Sequence, residues 1–249
     1  MDIMYNEDDN SLDISNDTEL LQNLKITANV FLKENKFITN EPDFSNYSNE
    51  KFINWVENRN DENSNNLIQL MDKVKLEINF RSLLSGIYTL KDNDKHSILV
   101  FFLSSFKNKT STIGVQIIKN IIGLMLLADC KELLLISPKE LSSKSKEYID
   151  TNYSSETDTY SVTTYTDDNF INIIKHSFTP EVLGILKNEE IKDFENKENI
   201  SVNDLPRMSY NDALVKFYRG KKGDIFILKR KVTTGNTMLD EQIIYKRVI

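Results

Sequence analysis

The spacing of apolar positions divides the chain into alternating helical and extended segments. Leu20, Leu21, Leu24, Ala28, Phe31 and Leu32 recur every three or four residues, which predicts an amphipathic helix to about Lys36 with Asp17 or Thr18 as its cap. Phe37, Ile38 and Thr39 leave it, and Pro42 marks a turn. Ser48 then opens a second helix with Phe52, Trp55 and Val56 on one face, and residues 58–66 read as a polar loop. Val74, Leu76, Ile78 and Phe80 alternate with polar residues, the period of a half-buried strand. Residues 98–103 are apolar throughout and predict a central strand covered on both faces. A helix is expected over 110–127, and a buried strand over 133–136 stopped by Ser137 and Pro138. Beyond them a polar helical stretch carries Lys139, Lys144, Lys146 and Tyr148, and 160–165 reads as a further strand. That order predicts a mixed sheet with helices packed against it.

A second unit is expected from about Ile174. Asn188 can cap a short helix bearing Ile191 and Phe194, followed by a charged loop over 195–203. A short strand at 207–209, a helix from Asp212 to about Arg219 and a basic turn over 220–223 come next. Two strands, 225–231 and 243–248, then form a hairpin around a loop at 233–240. Pro206 removes an amide donor and favours a sheet edge or a strand start. Asp212 can accept from the first free amides of its helix. Gly223 supplies a positive φ before the hairpin. Arg207 offers a planar fork of donors for a carboxylate or for carbonyls of a partner.

Composition narrows the function classes. Residues 1–17 are acidic and poor in apolar side chains, and are expected to be a disordered tail. The first twenty residues hold seven acids and no lysine or arginine, which argues against a secretory signal. The most apolar stretch, 113–127, contains Gln116, Lys119 and Asn120 and is too short to span a bilayer, so a soluble intracellular chain is expected. One cysteine, Cys130, excludes an internal disulfide, and with only His96 and His176 beside it no Cys/His zinc site can be assembled within the chain. Cys130 reads as a small buried apolar residue, and no metal or cofactor is expected. Residues 205–249 hold ten basic side chains against four acids, a balance of +6, so the chain's net −7 leaves −13 on the remainder. That split suggests a basic docking surface carried by an acidic body.

The C-terminal motifs carry a family resemblance. In order stand His176, Pro180, Leu205-Pro206-Arg207-Met208, Asp212, Val215, Lys216, Phe217, Tyr218, Lys222, Gly223 and Tyr245-Lys246. This series resembles the assembly domain of the fifth subunit of nuclear RNA polymerases and of its archaeal counterpart. Val182, Ala213 and Arg219-Gly220 depart from the family pattern, and the element before the last strand survives only as Thr233-Thr234-Gly235 followed by inserted residues. A looser match links residues 35–39 and 134–138 to the N-terminal jaw of the eukaryotic-type subunit.

The resemblance implies an α/β jaw with a restriction-endonuclease-like mixed sheet over 18–173, and a small α+β assembly domain over 174–249. It implies a non-catalytic polymerase subunit docked on the largest subunit beside downstream double-stranded DNA. The implied subunit interface comprises His176, Pro180, Leu205, Pro206, Arg207, Asp212, Tyr218, Lys221, Lys222, Gly223, Tyr245 and Lys246. The loop with Ser137, Pro138, Lys139, Lys144 and Lys146 would meet phosphates without reading bases.

Two other readings remain in play. A nuclease would need an acid and an Asp/Glu-x-Lys on adjoining strand residues to hold magnesium. The candidate strand offers Glu77-Ile78-Asn79 without a lysine, while Glu34-Asn35-Lys36 and Glu195-Asn196-Lys197 fall on helix ends or loops. A free-standing transcription regulator with the same fold is not separable by sequence. The asparagine-rich composition and the departures from pattern lean towards a large cytoplasmic DNA virus, hence a virion or viral factory, with the nucleus expected if the source is cellular.

Overall fold

The computed structural model describes residues 14–59, 62–104, 112–153, 160–176, 179–234 and 237–249. The N-terminal layer begins with α1 (Ile14–Glu34), α2 (Asn49–Glu57) and α3 (Glu62–Lys73). It continues through β1 (Gly86–Leu90), β2 (Asn93–Phe102), α4 (Val115–Leu127), β3 (Glu132–Ser137), α5 (Ser143–Asn152), β4 (Ser161–Thr166) and α6 (Asp167–Lys175). These strands form one sheet in the order β1-β2-β3-β4, with β1 antiparallel to β2 and the other two pairs parallel.

Alternation along the central strands divides the core into two faces. Ile98, Val100, Phe102, Leu134 and Ile136 point to one side, where α1, α2 and α6 lie. Leu99, Phe101, Leu103, Leu133 and Leu135 point to the other, against α3, α4 and α5. Burying each such side chain contributes roughly 1.5–3 kcal/mol. This is the doubly covered β2 that its continuous apolar run predicts.

The C-terminal elements are β5 (Glu181–Leu186), α7 (Asn188–Glu198), β6 (Arg207–Met208), α8 (Ala213–Phe217), β7 (Ile225–Thr234) and β8 (Thr237–Val248). Their sheet runs β5-β7-β8-β6. One of its faces continues the core of the N-terminal layer, because Phe217, Phe226, Leu228 and Val248 share a cluster with Phe31, Phe170 and Tyr165. Its other face packs under α7 through Phe194, Val202, Leu205 and Ile225. The boundary expected at 173/174 falls inside α6, which packs on both α1 and α8.

Several expectations change. Helix α1 starts at Ile14, so Asp17 and Thr18 lie inside it and neither caps it; residues 1–13 of the acidic segment lie outside the described residues. Helix α3 occupies much of the expected polar loop at 58–66, and the strand expected at 74–80 does not form. Helix α4 begins at Val115 behind Gly114, later than the expected start at 110. Strand β1, helix α6 and strand β5 answer to no expected element. The hairpin strands run longer than expected, to Thr234 and from Thr237, and Gly235 lies outside the described residues. Among the described residues no helix is long and apolar enough to cross a membrane.

Candidate functional site

The end of β3 and the loop behind it form a rigid platform. Ser137 is buried, with its hydroxyl 2.8 Å from the Lys139 carbonyl oxygen and 3.3 Å from that of Tyr165. Ile113 clamps the loop by donating to the Glu140 carbonyl at 3.0 Å and accepting from the Ser142 amide at 3.0 Å. Ser142 then caps α5, its oxygen accepting from Ser145 N at 3.2 Å. Of the expected phosphate contacts, Ser137 is therefore corrected: its hydroxyl is turned inward to hold the loop. Pro138 and Lys139 are half-buried, Lys144 is exposed on the first turn of α5, and Lys146 pairs with Glu140 at 2.7 Å.

This platform borders a cleft of about 340 Å³ at the carboxyl ends of β3 and β4. Glu140, Lys146 and Asp150 stand on the α5 side, Asn211, Ala213 and Lys216 on the α8 side, and Thr164, Tyr165 and Thr166 lie between them. Tyr165 closes the inner wall by donating its hydroxyl to the Ala213 carbonyl at 3.1 Å. Burial first, and then the nearby Asp212 carboxylate, hold that phenol far above its ordinary range.

The residues expected at the subunit interface separate into two groups. At the far end of the second sheet, β6 pairs with β8 so that Arg207 faces Arg247 in register. The basic turn is tied to the same place, since Gly223, at φ 97°, donates its amide to the Val248 carbonyl at 2.9 Å. Pro206 lies exposed at the start of this edge strand, with its carbonyl accepting from Arg247 N at 2.9 Å. Arg207, Lys221 and Lys222 are exposed there, and the Lys222 ammonium lies 5.7 Å from the Tyr210 ring centre. Three of the ten basic residues of the segment 205–249 thus stand exposed at this corner.

The other group serves the interior. Leu205 is buried under α7, Tyr245 packs on Phe194 with ring centres 4.9 Å apart, and Asp212 caps α8 by accepting from Leu214 N at 2.9 Å. Tyr218 is half-buried beside Phe217, where burial and the Glu34 and Glu181 carboxylates raise its pKa. Lys246 is half-buried in β8. Leu205, Tyr245 and Asp212 thus also hold the framework of the unit, whereas Tyr218 and Lys246 keep part of their surface open. His176 is exposed at the end of α6, and Pro180, half-buried, leads into β5.

Part of the basic surplus is also spent internally. Arg219 pairs with Glu132 of β3 and lies 4.9 Å from the Phe37 ring centre. Burial lowers its pKa to about 10, so it stays charged at neutrality. His96 meets the same carboxylate at 2.5 Å. Burial, then the positive charges of Arg219 and Lys131, lower the histidine pKa. Lys229 pairs with Glu241 at 2.8 Å.

The nuclease pattern is not brought together. Glu77 is exposed outside any strand, while Asn35 is buried and donates to the Phe217 carbonyl at 2.9 Å. Among the described residues no cluster of three or more His, Cys, Asp or Glu side chains is placed to hold a metal ion. Cys130 is buried, and burial raises its thiol to about 12, in keeping with a packing residue.

A polar network escaped sequence reading. The Lys25 ammonium, fully buried, lies 2.8 Å from Glu41, 2.9 Å from the Leu84 carbonyl and 2.9 Å from the Tyr88 hydroxyl. Tyr88 donates to Glu41 at 2.6 Å, and Arg59 stands 3.2 Å from the same carboxylate. The available signal was a lysine on the apolar stripe of α1.

The fold and these surfaces define an α/β unit with helices on both faces of its sheet, joined to a small α+β module with an open basic corner. Residues 171–248 match the family described as RNA polymerase Rpb5, C-terminal domain, so this part of the chain is similar to that domain. No curated protein matches the chain.

Proposed function

We propose that this chain is a non-catalytic subunit of a multisubunit DNA-directed RNA polymerase. It docks on the largest subunit through the corner formed by Arg207, Lys221 and Lys222. Its N-terminal layer, read as a restriction-endonuclease-like jaw, helps to hold downstream DNA. The observation carrying this reading is the family match over the same unit that presents the exposed basic corner. The jaw assignment is supported by a mixed sheet covered by helices on both faces and by the clamped loop with Lys139 and Lys144. Phosphates met there would be neutralised without base readout. The chain brings no cofactor of its own to this role. Its place is the virion or cytoplasmic factory of a DNA virus, or the nucleus in a cellular source.

The test is co-purification of the tagged full chain with the two largest polymerase subunits. One copy per enzyme is expected, retained in high salt, and lost when Arg207→Glu and Lys222→Glu are combined. Variable, substoichiometric recovery would instead indicate a transient regulator. On DNA, Lys144→Ala in the assembled enzyme should flatten the dependence of log K on log salt by about 0.9 if it removes one phosphate contact.

A further inference from the structure

The described sheet edges are not equally protected. Strand β1 carries a register shift at Thr89/Leu90 and is covered by the segment after α1, with Ile38 N donating to the Thr89 carbonyl at 2.8 Å. Strand β5 has a register shift between Val182 and Gly184, and β6 is two residues long. Bulges, charges and short lengths are the usual defences of an edge. Strand β4, Ser161–Thr166, has none of these: its register with β3 is unbroken, and it contains no charge, proline or glycine.

The direction of its main chain can be followed residue by residue. Ser161 N donates inward to the Lys131 carbonyl at 3.0 Å, whereas Val162 N donates outward to the Tyr153 carbonyl at 3.2 Å. By the two-residue alternation of a parallel ladder, the amide and carbonyl of Thr164 point out of the sheet. There they border the cleft, with α5 on one side and α8 on the other. The outward main chain of Thr164 thus lies in a slot between α5 and α8. Lys146 is matched by Glu140, while Asp150 on the α5 wall and Lys216 on the α8 wall make no ion pair among the described residues. These balanced charges disfavour a polyanion.

We propose that the β4 edge is a strand-addition site for an extended segment of a partner polypeptide in which an acidic residue adjoins a basic one. Consecutive side chains of an added strand point to opposite faces, so the acid meets Lys216 and the base meets Asp150. Main-chain pairing with Thr164 supplies the attachment. This site goes beyond the polymerase reading and stands or falls separately from it.

The probe is the peptide Thr-Val-Asp-Lys-Val-Thr, titrated into the ¹⁵N-labelled full chain. The amide signals of Thr164 and Thr166 should move saturably, and exchange of the Thr164 amide should slow. Thr164→Pro should weaken binding about tenfold, the scale of one lost buried hydrogen bond. Because that amide serves no rung of the ladder, the rest of the spectrum should be retained. Thr164→Val keeps the main chain and should bind as the parent does. An uncharged peptide, Thr-Val-Asn-Gln-Val-Thr, should bind more weakly. The inference is overturned if the peptide leaves the Thr164 signal and its exchange unmoved, or if Thr164→Pro folds and binds unchanged. It is also overturned if the same signals respond to protein concentration alone with a doubling of mass, or if a short DNA duplex slows exchange of the Thr164 amide and displaces the peptide.

Discussion

Lys25 sits on the apolar stripe of α1 between Leu21 and Ala28, yet its ammonium is fully removed from solvent. The sequence shows the lysine but not what neutralises it, because Glu41, Arg59 and Tyr88 arrive from three later segments. Taking away one partner of a buried pair strands the other, at a cost of about 3–5 kcal/mol. Lys25→Met leaves Glu41 with Arg59 and Tyr88, so it should lower the unfolding free energy by less than about 3 kcal/mol in urea titration, although methionine fits the stripe. At the exposed Lys146–Glu140 pair the same logic gives a small effect, and Glu140→Ala should change stability by about 1 kcal/mol or less. Cys130 makes a pH argument of opposite character. Burial raises its thiol from 9.0 to about 12, so the folded chain keeps a proton that the unfolded chain gives up. Its contribution to stability is full below about pH 9 and declines as pH rises towards about 12. Cys130→Ala should flatten the fall in stability across that window, read by denaturant unfolding at several pH values.

Helix ends explain the clearest misreading at the level of elements. Among the described residues five helices stop at a left-handed residue that is not glycine: Lys36, Lys75, Asp129, Asn199 and Arg219, with φ of 62°, 56°, 52°, 54° and 53°. At α3 the Lys75 amide donates to the Asp72 carbonyl and the Leu76 amide reaches back to the Met71 carbonyl at 3.0 Å. That is the paired hydrogen-bond closure in which the residue after the left-handed one packs back on the helix. The alternation of Val74 and Leu76 therefore belongs to a helix end, not to a strand, and both side chains join the core beside Met71. Without a glycine to mark the stop, the pattern was indistinguishable from a strand's. Where capping residues are of the usual kind, at Ser48 and Asp212, the boundaries were legible to within a residue. A left-handed lysine costs about 1–2 kcal/mol, and glycine gives back part of this through its unfolded-state entropy. Lys75→Gly should thus stabilise the chain by about 0.5–1 kcal/mol, whereas Lys75→Ala should not. Thermal unfolding of both variants separates the outcomes.

For the whole molecule, the amphipathic periods and the C-terminal motifs made the two layers legible, but not the surface that joins them. The joint is built from residues that read as ordinary core or surplus charge. Phe217 enters between Phe31 and Phe170, with ring centres 5.4 and 6.0 Å away, Asn35 donates to the Phe217 carbonyl, and Arg219 pairs with Glu132. Gly220, next to that arginine, has no room for a Cβ, which would stand 2.6 Å from the Phe226 ring. These contacts make the C-terminal unit part of a continuous core rather than a plug on a separate body. Trp55, the single tryptophan, reports on the N-terminal layer by fluorescence, and amide exchange in β7 and β8 reports on the C-terminal sheet. In guanidinium the two probes should give one midpoint and one free energy. Phe217→Ala should lower both together by about 3–5 kcal/mol, the cost of a cavity at a buried phenylalanine. Two separate midpoints in the parent chain, or loss of protection in β7 and β8 while Trp55 stays native, would show that the units fold independently. In that case a fragment starting near residue 174 should fold unaided; with a shared core it should not, since the partners of Phe217 on α1 and α6 are cut away.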